Sequence, residues 1–371
     1  MKKRIILWIA LLPGVAAQAQ TLHRTECPLG YDQYIGRVWR ENLSYAAEKL
    51  NVRIADAEVK AAGVFNDPQF GVEYGNNADR RMQMGQSVSA ELSKTFSPGK
   101  RAARIDLARS EQELSGALLE DYFRNLRAEA TLAYLDAVKQ AELFRVKQDA
   151  YENIRKLAEG DSVKYTLGKI TRVDDIQSGL EAGMMYNELL QARTDLHNAF
   201  FALNLQTATF DRDTLYVPSG SLHMPERTFD PDRLVQSALD NRADLAAALK
   251  DTEVARRALT VARRERNMDF DVSLGVNHNT EVRHEIAPAP RFNAVTVGLS
   301  VPLKFSNLNK GTVQAAKSRI QQAEARYRRA ELEVPTEALQ TLRKYPSPAA
   351  KARRYETGLL EDAKVDTSRK T

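Results

Sequence analysis

The sequence predicts an α+β protein made mainly of long α-helices, with two helix–β-hairpin–helix repeats. Three observations carry this. Residues 100–158 contain no proline and one glycine, Gly116, which allows a helix of about 85–90 Å. Four short segments alternate apolar and polar residues, the pattern of half-buried strands. The pattern also recurs. "NDPQFGVEYG" at Asn66–Gly75 has a counterpart in "NMDFDVSLGV" at Asn267–Val276, and Glu91–Ser110 has one in Gly298–Ser318. Both matches keep the same order at an offset of about 200 residues, which indicates duplication.

Taken in order, the 371-residue chain opens with Lys2-Lys3-Arg4, an apolar run from Ile5 to Ala17, and Ala17-Gln18-Ala19. This is the layout of a secretory signal peptide over residues 1–19, too short and wrongly flanked for a spanning helix. The single cysteine, Cys27, excludes an internal disulfide. Arg24-Thr25-Glu26 before it does not resemble a lipoprotein signal, so Cys27 reads as an ordinary thiol rather than a lipid anchor. The first repeat covers 20–210. It has a helix over Gly36–Gly63, strands at about 69–75 and 87–95, the long helix, and a returning helix from Arg172 to about Thr207. A linker covers 211–230. The second repeat, 231–371, has a helix over Asp232–Arg266, strands at about 269–277 and 293–301, and a further helix. In the strands, Phe70, Val72 and Tyr74, then Val272, Leu274 and Val276, form apolar stripes. Glu73, Asp269 and Asp271 fall on the opposite side.

A turn at Tyr165–Gln177 joins the two helices of the first repeat. Gly168 suits a helix C-terminus because it tolerates positive φ. Thr171 is placed as an N-cap, and Asp174 three residues later completes a near-capping box at the positive helix end. By itself this describes a sharp helical hairpin; a functional reading makes it an exposed tip that touches a partner.

Charged residues make up 28% of the chain and aromatics 7%. The formal charge of +5 falls close to neutral once the three cations of the signal segment are removed. The remaining cations are mixed with acids along helix faces, so no nucleic-acid partner is expected. No later window has the ~18 consecutive apolar residues of a spanning helix. Four strands cannot close a barrel either, since the smallest membrane barrels have about eight. An open sheet with apolar stripes would leave bare edges. Export, long helices and few strands together point to several chains pooling four strands each into a barrel carried on a helical tube.

The duplicated pattern, "ELSKTFSPGKRAARIDLA" at 91–108, "LGKITRVDDIQSGLEA" at 167–182 and "NRADLAAAL" at 241–249 resemble the bacterial outer-membrane efflux proteins, the TolC-like channel family. The resemblance covers nearly all of the mature chain. It departs at Ala243, where the family usually has proline, and "SPGKRAAR" is most similar to the metal-efflux subgroup. The resemblance implies a homotrimer with a twelve-stranded outer-membrane barrel in lipid and a periplasmic helical tube. It also implies docking of the hairpin tip (Gly168, Thr171, Asp174) on a periplasmic adaptor linked to an inner-membrane pump. Glu73, Asp269 and Asp271 would then line the pore. The implied function is a passive export conduit for small molecules or metal ions, without a cofactor and without catalysis.

Two features of the C-terminal part stand apart from the family. Tyr355-Glu356 aligns with Tyr151-Glu152, so Thr371 corresponds to a position just before Gly168. The second repeat is expected to lack the tip and the returning helix, which would impair the tube. Pro335, Pro346 and Pro348 fall where the family has continuous helix. They mean either a true helix break or, the reading favoured here, a shifted frame near the end of the gene. Among the five histidines, His278 and His284 lie in a loop with Glu281 and Glu285 but at irregular spacing, so no metal site is expected. No P-loop, Rossmann fingerprint or G-x-S-x-G motif is present. The alternative to a channel is a periplasmic coiled-coil scaffold or adaptor, which would explain export and long helices but not the paired alternating hairpins.

Overall fold

A computed structural model describes residues 25–76, 85–209, 214–220, 222, 227–303 and 309–354. The expected signal peptide and the alignment of Tyr355–Thr371 with the first repeat lie outside the described residues. The order of elements is β1 (Thr25–Leu29), α1 (Tyr31–Glu41), α2 (Leu43–Ala62), β2 (Gln69–Asn76), β3 (Gln86–Phe96), α3 (Lys100–Thr166), α4 (Arg172–Gln206), β4 (Thr214–Pro218), α5 (Pro231–Asn241), α6 (Ala243–Arg264), β5 (Phe270–Asn279), β6 (Phe292–Ser300), α7 (Lys310–Lys344) and α8 (Pro346–Arg354). The chain divides into two units: residues 1–42 with 129–222, and residues 43–128 with 223–371. Helix α3 contributes to both.

In the first unit, β1 and β4 form a two-stranded parallel sheet, with Cys27 opposite Tyr216. The core gathers Tyr34, Val38, Ala130, Tyr134, Ala137 and Leu203, all buried. Tyr31 and Tyr34 pack on Tyr134 with ring centroids 5.5 and 5.4 Å away. The Tyr134 hydroxyl is shared between the carbonyls of Ser219 (2.8 Å) and Leu29 (3.1 Å), so this buried phenol closes the ends of both short strands. Asn204 does the same for α4. Its Nδ2 donates to the Tyr216 carbonyl at 2.9 Å, and its Oδ1 accepts from the Tyr216 amide at 3.1 Å.

In the second unit, β2-β3-β5-β6 make one antiparallel sheet in which the two hairpins meet along β3 and β5. Helices α6 and α7 pack through small residues, with Ala247, Ala262, Ala316 and Ala323 buried. Small side chains let helix backbones approach closely, which suits a layer with no bulky core. Lys250–Glu113 (2.6 Å) and Arg256–Glu324 (3.1 Å) pair across elements of this unit.

The strands fall within a residue or two of the expected ranges, and α3 runs 67 residues, about 100 Å. Three expectations are corrected. The helix expected over Gly36–Gly63 is two helices, because Asn42 takes an extended conformation (φ −64°, ψ 118°) and its side chain donates to the Gln206 carbonyl at 3.0 Å. The helix expected over Asp232–Arg266 is likewise broken at Arg242 (φ −76°, ψ 121°). These breaks fall at matching places in the two repeats, so the duplication extends to the interruption. Ala243 is then the first residue of a helix, where proline is tolerated because its missing N–H would be unbonded anyway. The stretch read as a linker over 211–230 contains β4. As for the prolines, α7 continues through Pro335, and Pro346 opens α8, so no break occurs at Pro335.

Candidate functional site

The sheet of the second unit sorts its side chains by face. The strand register puts Phe70, Val72 and Tyr74 in line with Leu92, Ala90 and Val88. Those meet Leu274, Val276 and His278, which continue to Val297, Val295 and Asn293. The result is a nearly continuous apolar face. It is also exposed: Phe70 is 70% accessible, Leu274 54% and Val297 76%. The other face carries Glu73, Ser89, Glu91, Ser93, Thr95, Asp271, Ser273, Asn277 and Thr296 with several glycines. A water-soluble sheet buries its apolar face, and this one presents it outward. Strands of 8 to 11 residues match the 9–11 residues or so that cross a bilayer when tilted. Strands β2 and β6 are open edges.

The three acids singled out in the sequence fare differently. Glu73 is exposed on the polar face. Asp271 lies there too and accepts a hydrogen bond from the Thr95 hydroxyl. Asp269 sits one residue before β5 and is bonded to Lys100 Nζ at 2.7 Å, with Glu265 3.7 Å from the same ammonium. Lys100 is only 5% exposed, so Asp269 offsets the charge of a buried lysine. Glu91, opposite Gly71 and Gly275, is a polar-face acid that the sequence reading passed over. The alternation of Val88, Ala90 and Leu92 was enough to assign it. No lysine or arginine shares this face among the described strand residues.

The tip between α3 and α4 in the first unit is built as its residues dictate. Gly168 has φ +70°, a conformation that disfavours any side chain. Its amide bonds back to Tyr165 O at 2.8 Å, and that of Lys169 to Lys164 O at 2.9 Å. Thr171 and Asp174 form a complete capping box. The Thr171 hydroxyl accepts from the Asp174 amide at 3.3 Å, and the Asp174 carboxylate accepts from the Thr171 amide at 3.0 Å and its hydroxyl at 2.7 Å. The hydrogen bond from the Thr171 side chain, then that from its backbone, holds the Asp174 carboxyl below its ordinary range. Leu167 and Val173 beside the cap are 65% and 71% exposed. Further along, Lys147 pairs with Glu188, and the Tyr151 and Tyr186 rings lie 5.3 Å apart, tying α3 to α4.

The break between α5 and α6 holds a second charged cluster in the second unit. Arg242 bonds Asp244 (2.5 and 3.0 Å) and Glu337 (2.6 Å), and Arg124 lies 3.4 Å from Asp244. Burial alone would push the Asp244 carboxyl up, but the bond from Arg242 and the charges of Arg124 and Arg242 outweigh it and hold it down. This cluster fixes a helix junction. His278 is bonded to Asn293 at 2.6 Å, and His284 Nδ1 accepts from the Ile286 amide at 3.2 Å. No group of three His, Cys, Asp or Glu among the described residues is placed to hold a metal.

With that geometry in view, residues 234–345 match the outer membrane efflux protein family. The chain is 24% identical over 288 residues to the cobalt-zinc-cadmium resistance protein CzcC of Cupriavidus metallidurans, covering 77% of this chain and 65% of that one. The chain thus spans about two thirds of that relative's length. Its fold is similar to that of a membrane protein from Pseudomonas aeruginosa (TM-score 0.65, 16% identity, 88% of this chain and 83% of the other). It is also similar to CusC, whose structures are described in terms of folding and transmembrane channel formation (TM-score 0.67, 14% identity, 90% and 81%).

Proposed function

We propose that this chain, whose residues 234–345 match the outer membrane efflux protein family, is the outer-membrane channel component of a tripartite efflux system. The observation that carries the reading is the outward apolar face of a sheet with two open edges. Four strands cannot enclose a pore, and unpaired edges invite further strands. Three copies pairing β6 of one with β2 of the next give twelve strands, greasy outside and polar within. The helices of the trimer then form a periplasmic tube. Transport follows from the pump's energy; the chain itself is a passive conduit.

The tip residues Gly168, Thr171 and Asp174 dock on the periplasmic adaptor in this reading. The rigid cap flanked by exposed Leu167 and Val173 supports it, because a preorganised apolar tip loses little entropy on binding. Metal cations are the favoured cargo. The similarity to a protein named for cobalt, zinc and cadmium resistance and the acids of the polar sheet face both support this.

Fractionating cells that produce the full chain tests the proposal. The chain should sediment with outer membranes and bring a periplasmic adaptor with it on purification. Thr171→Ala, which removes the cap hydroxyl at about 1 kcal/mol, should weaken that capture without changing the fraction in which the chain is found. Recovery as a soluble periplasmic protein would favour the scaffold reading and overturn the channel. Undiminished capture by Thr171→Ala together with Val173→Asp would remove the tip from the docking surface.

A further inference from the structure

Where β3 runs into α3, the second unit has a cleft of about 380 Å³. Its wall includes Phe65, Phe96 and Phe270, and its cations are Lys94, Arg101 and Arg104. Phe96 and Phe270 stack with centroids 5.7 Å apart. Lys94, Phe96 and Phe270 share the register of the apolar sheet face, so the cleft is the helix-side end of that face.

What distinguishes it is an aromatic wall beside cations that, among the described residues, lack carboxylate partners. Arg101 is held in place, its guanidinium 4.1 Å over the Phe65 ring and its Nε donating to Gly63 O at 2.7 Å. Neither that bond nor that stacking neutralises it. None of Lys94, Arg101 and Arg104 is paired with a carboxylate among the described residues. Three unneutralised cations around one apolar cleft form a site for an amphipathic anion.

We propose that this cleft binds the headgroup of an anionic glycerophospholipid from the periplasmic leaflet of the outer membrane. The phosphate lies against Lys94 and Arg104, and Arg101 provides a fixed donor beside it. The acyl chains continue over Phe96 and Phe270 toward Val272 and Leu92. The site rests on the channel reading, which puts the apolar face in lipid and the helix side of the sheet in the periplasm. Phosphate recognition by cations is charge-assisted, and the apolar continuation selects a lipid over a free phosphate. Such a site would fix the depth of the barrel in the membrane, as interfacial anchors do.

The test is native mass spectrometry of the full chain extracted from outer membranes, titrated with phosphatidylglycerol, phosphatidylcholine or inorganic phosphate. The wild type should retain phosphatidylglycerol and neither of the others. Lys94→Gln with Arg104→Gln should weaken that retention about thirtyfold. Arg319→Gln, an exposed cation on α7, should leave it unchanged. Equal retention by the double variant, or retention of phosphatidylcholine or free phosphate as strong as that of phosphatidylglycerol, overturns the site. If the protein forms channels in the outer membrane but shows no lipid preference, the site alone is wrong. If it never reaches the membrane, the channel reading falls and the site with it.

Discussion

Leu274→Arg will deplete this chain from the outer-membrane fraction, while Ser89→Arg will leave it there. Leu274 lies midway along β5, between Leu92 and Val297 in register, on the face assigned to lipid. An arginine at the bilayer midplane destabilises a membrane barrel by about 2–4 kcal/mol. In the proposed homotrimer every copy carries the substitution, so the penalty is compounded. Ser89 lies across from Glu73 on the polar face, where an arginine meets water and an opposite charge. The contrast discriminates sharply. Leu274 is 54% exposed, and in a water-soluble protein replacing an exposed leucine changes stability by about 0.5 kcal/mol or less. Immunoblots of separated membrane and periplasmic fractions read the result. Equal behaviour of the two variants would remove the lipid-facing assignment.

The second large effect concerns what passes through. Replacing Glu73, Glu91 and Asp271 together by Gln, Gln and Asn should abolish most of the cation preference of the reconstituted pore. These acids share the polar face with no lysine or arginine among the described strand residues, and Thr95 holds Asp271 in place. Carboxylates lining a confined aqueous passage concentrate cations and repel anions. Planar-bilayer recordings across a potassium chloride gradient should show a reversal potential of cation-selective sign for the wild type, shifted toward zero in the triple variant. Asp269→Asn should change selectivity far less, because Lys100 already offsets that carboxylate. It should instead loosen the β5 entry by leaving a buried ammonium short of a partner. An unshifted reversal potential in the triple variant would exclude these residues from the ion path.

How much of this could be read from the sequence follows from the range of the forces involved. The β-hairpins were legible because alternation is a local pattern, as at Val272, Leu274 and Val276. The cap at Gly168, Thr171 and Asp174 was legible because a turn and a capping box are built within seven residues. The helix breaks were not. Asn42 is held by Gln206 and Arg242 by Glu337, partners that only the fold brings near. The β1–β4 pair escaped notice for a similar reason. Each strand is five residues long, each contains a proline, and Thr25–Leu29 pairs with a segment far along the chain. Asp269 was assigned by parity alone to a polar face, whereas Lys100 draws it into an ion pair at the strand entry. The cationic cleft at Lys94, Arg101 and Arg104 depends on β3, the start of α3 and Phe65 converging, which no single segment announces.

In the proposed channel this sheet is completed only by other copies of itself. Native mass spectrometry of the chain released from outer membranes in detergent tests it most directly. The expected particle holds three copies and dissociates when the β2 and β6 edges are blocked by proline at Val72 and Val297. A stable single copy in detergent-free buffer, its apolar face shielded from water, would contradict it.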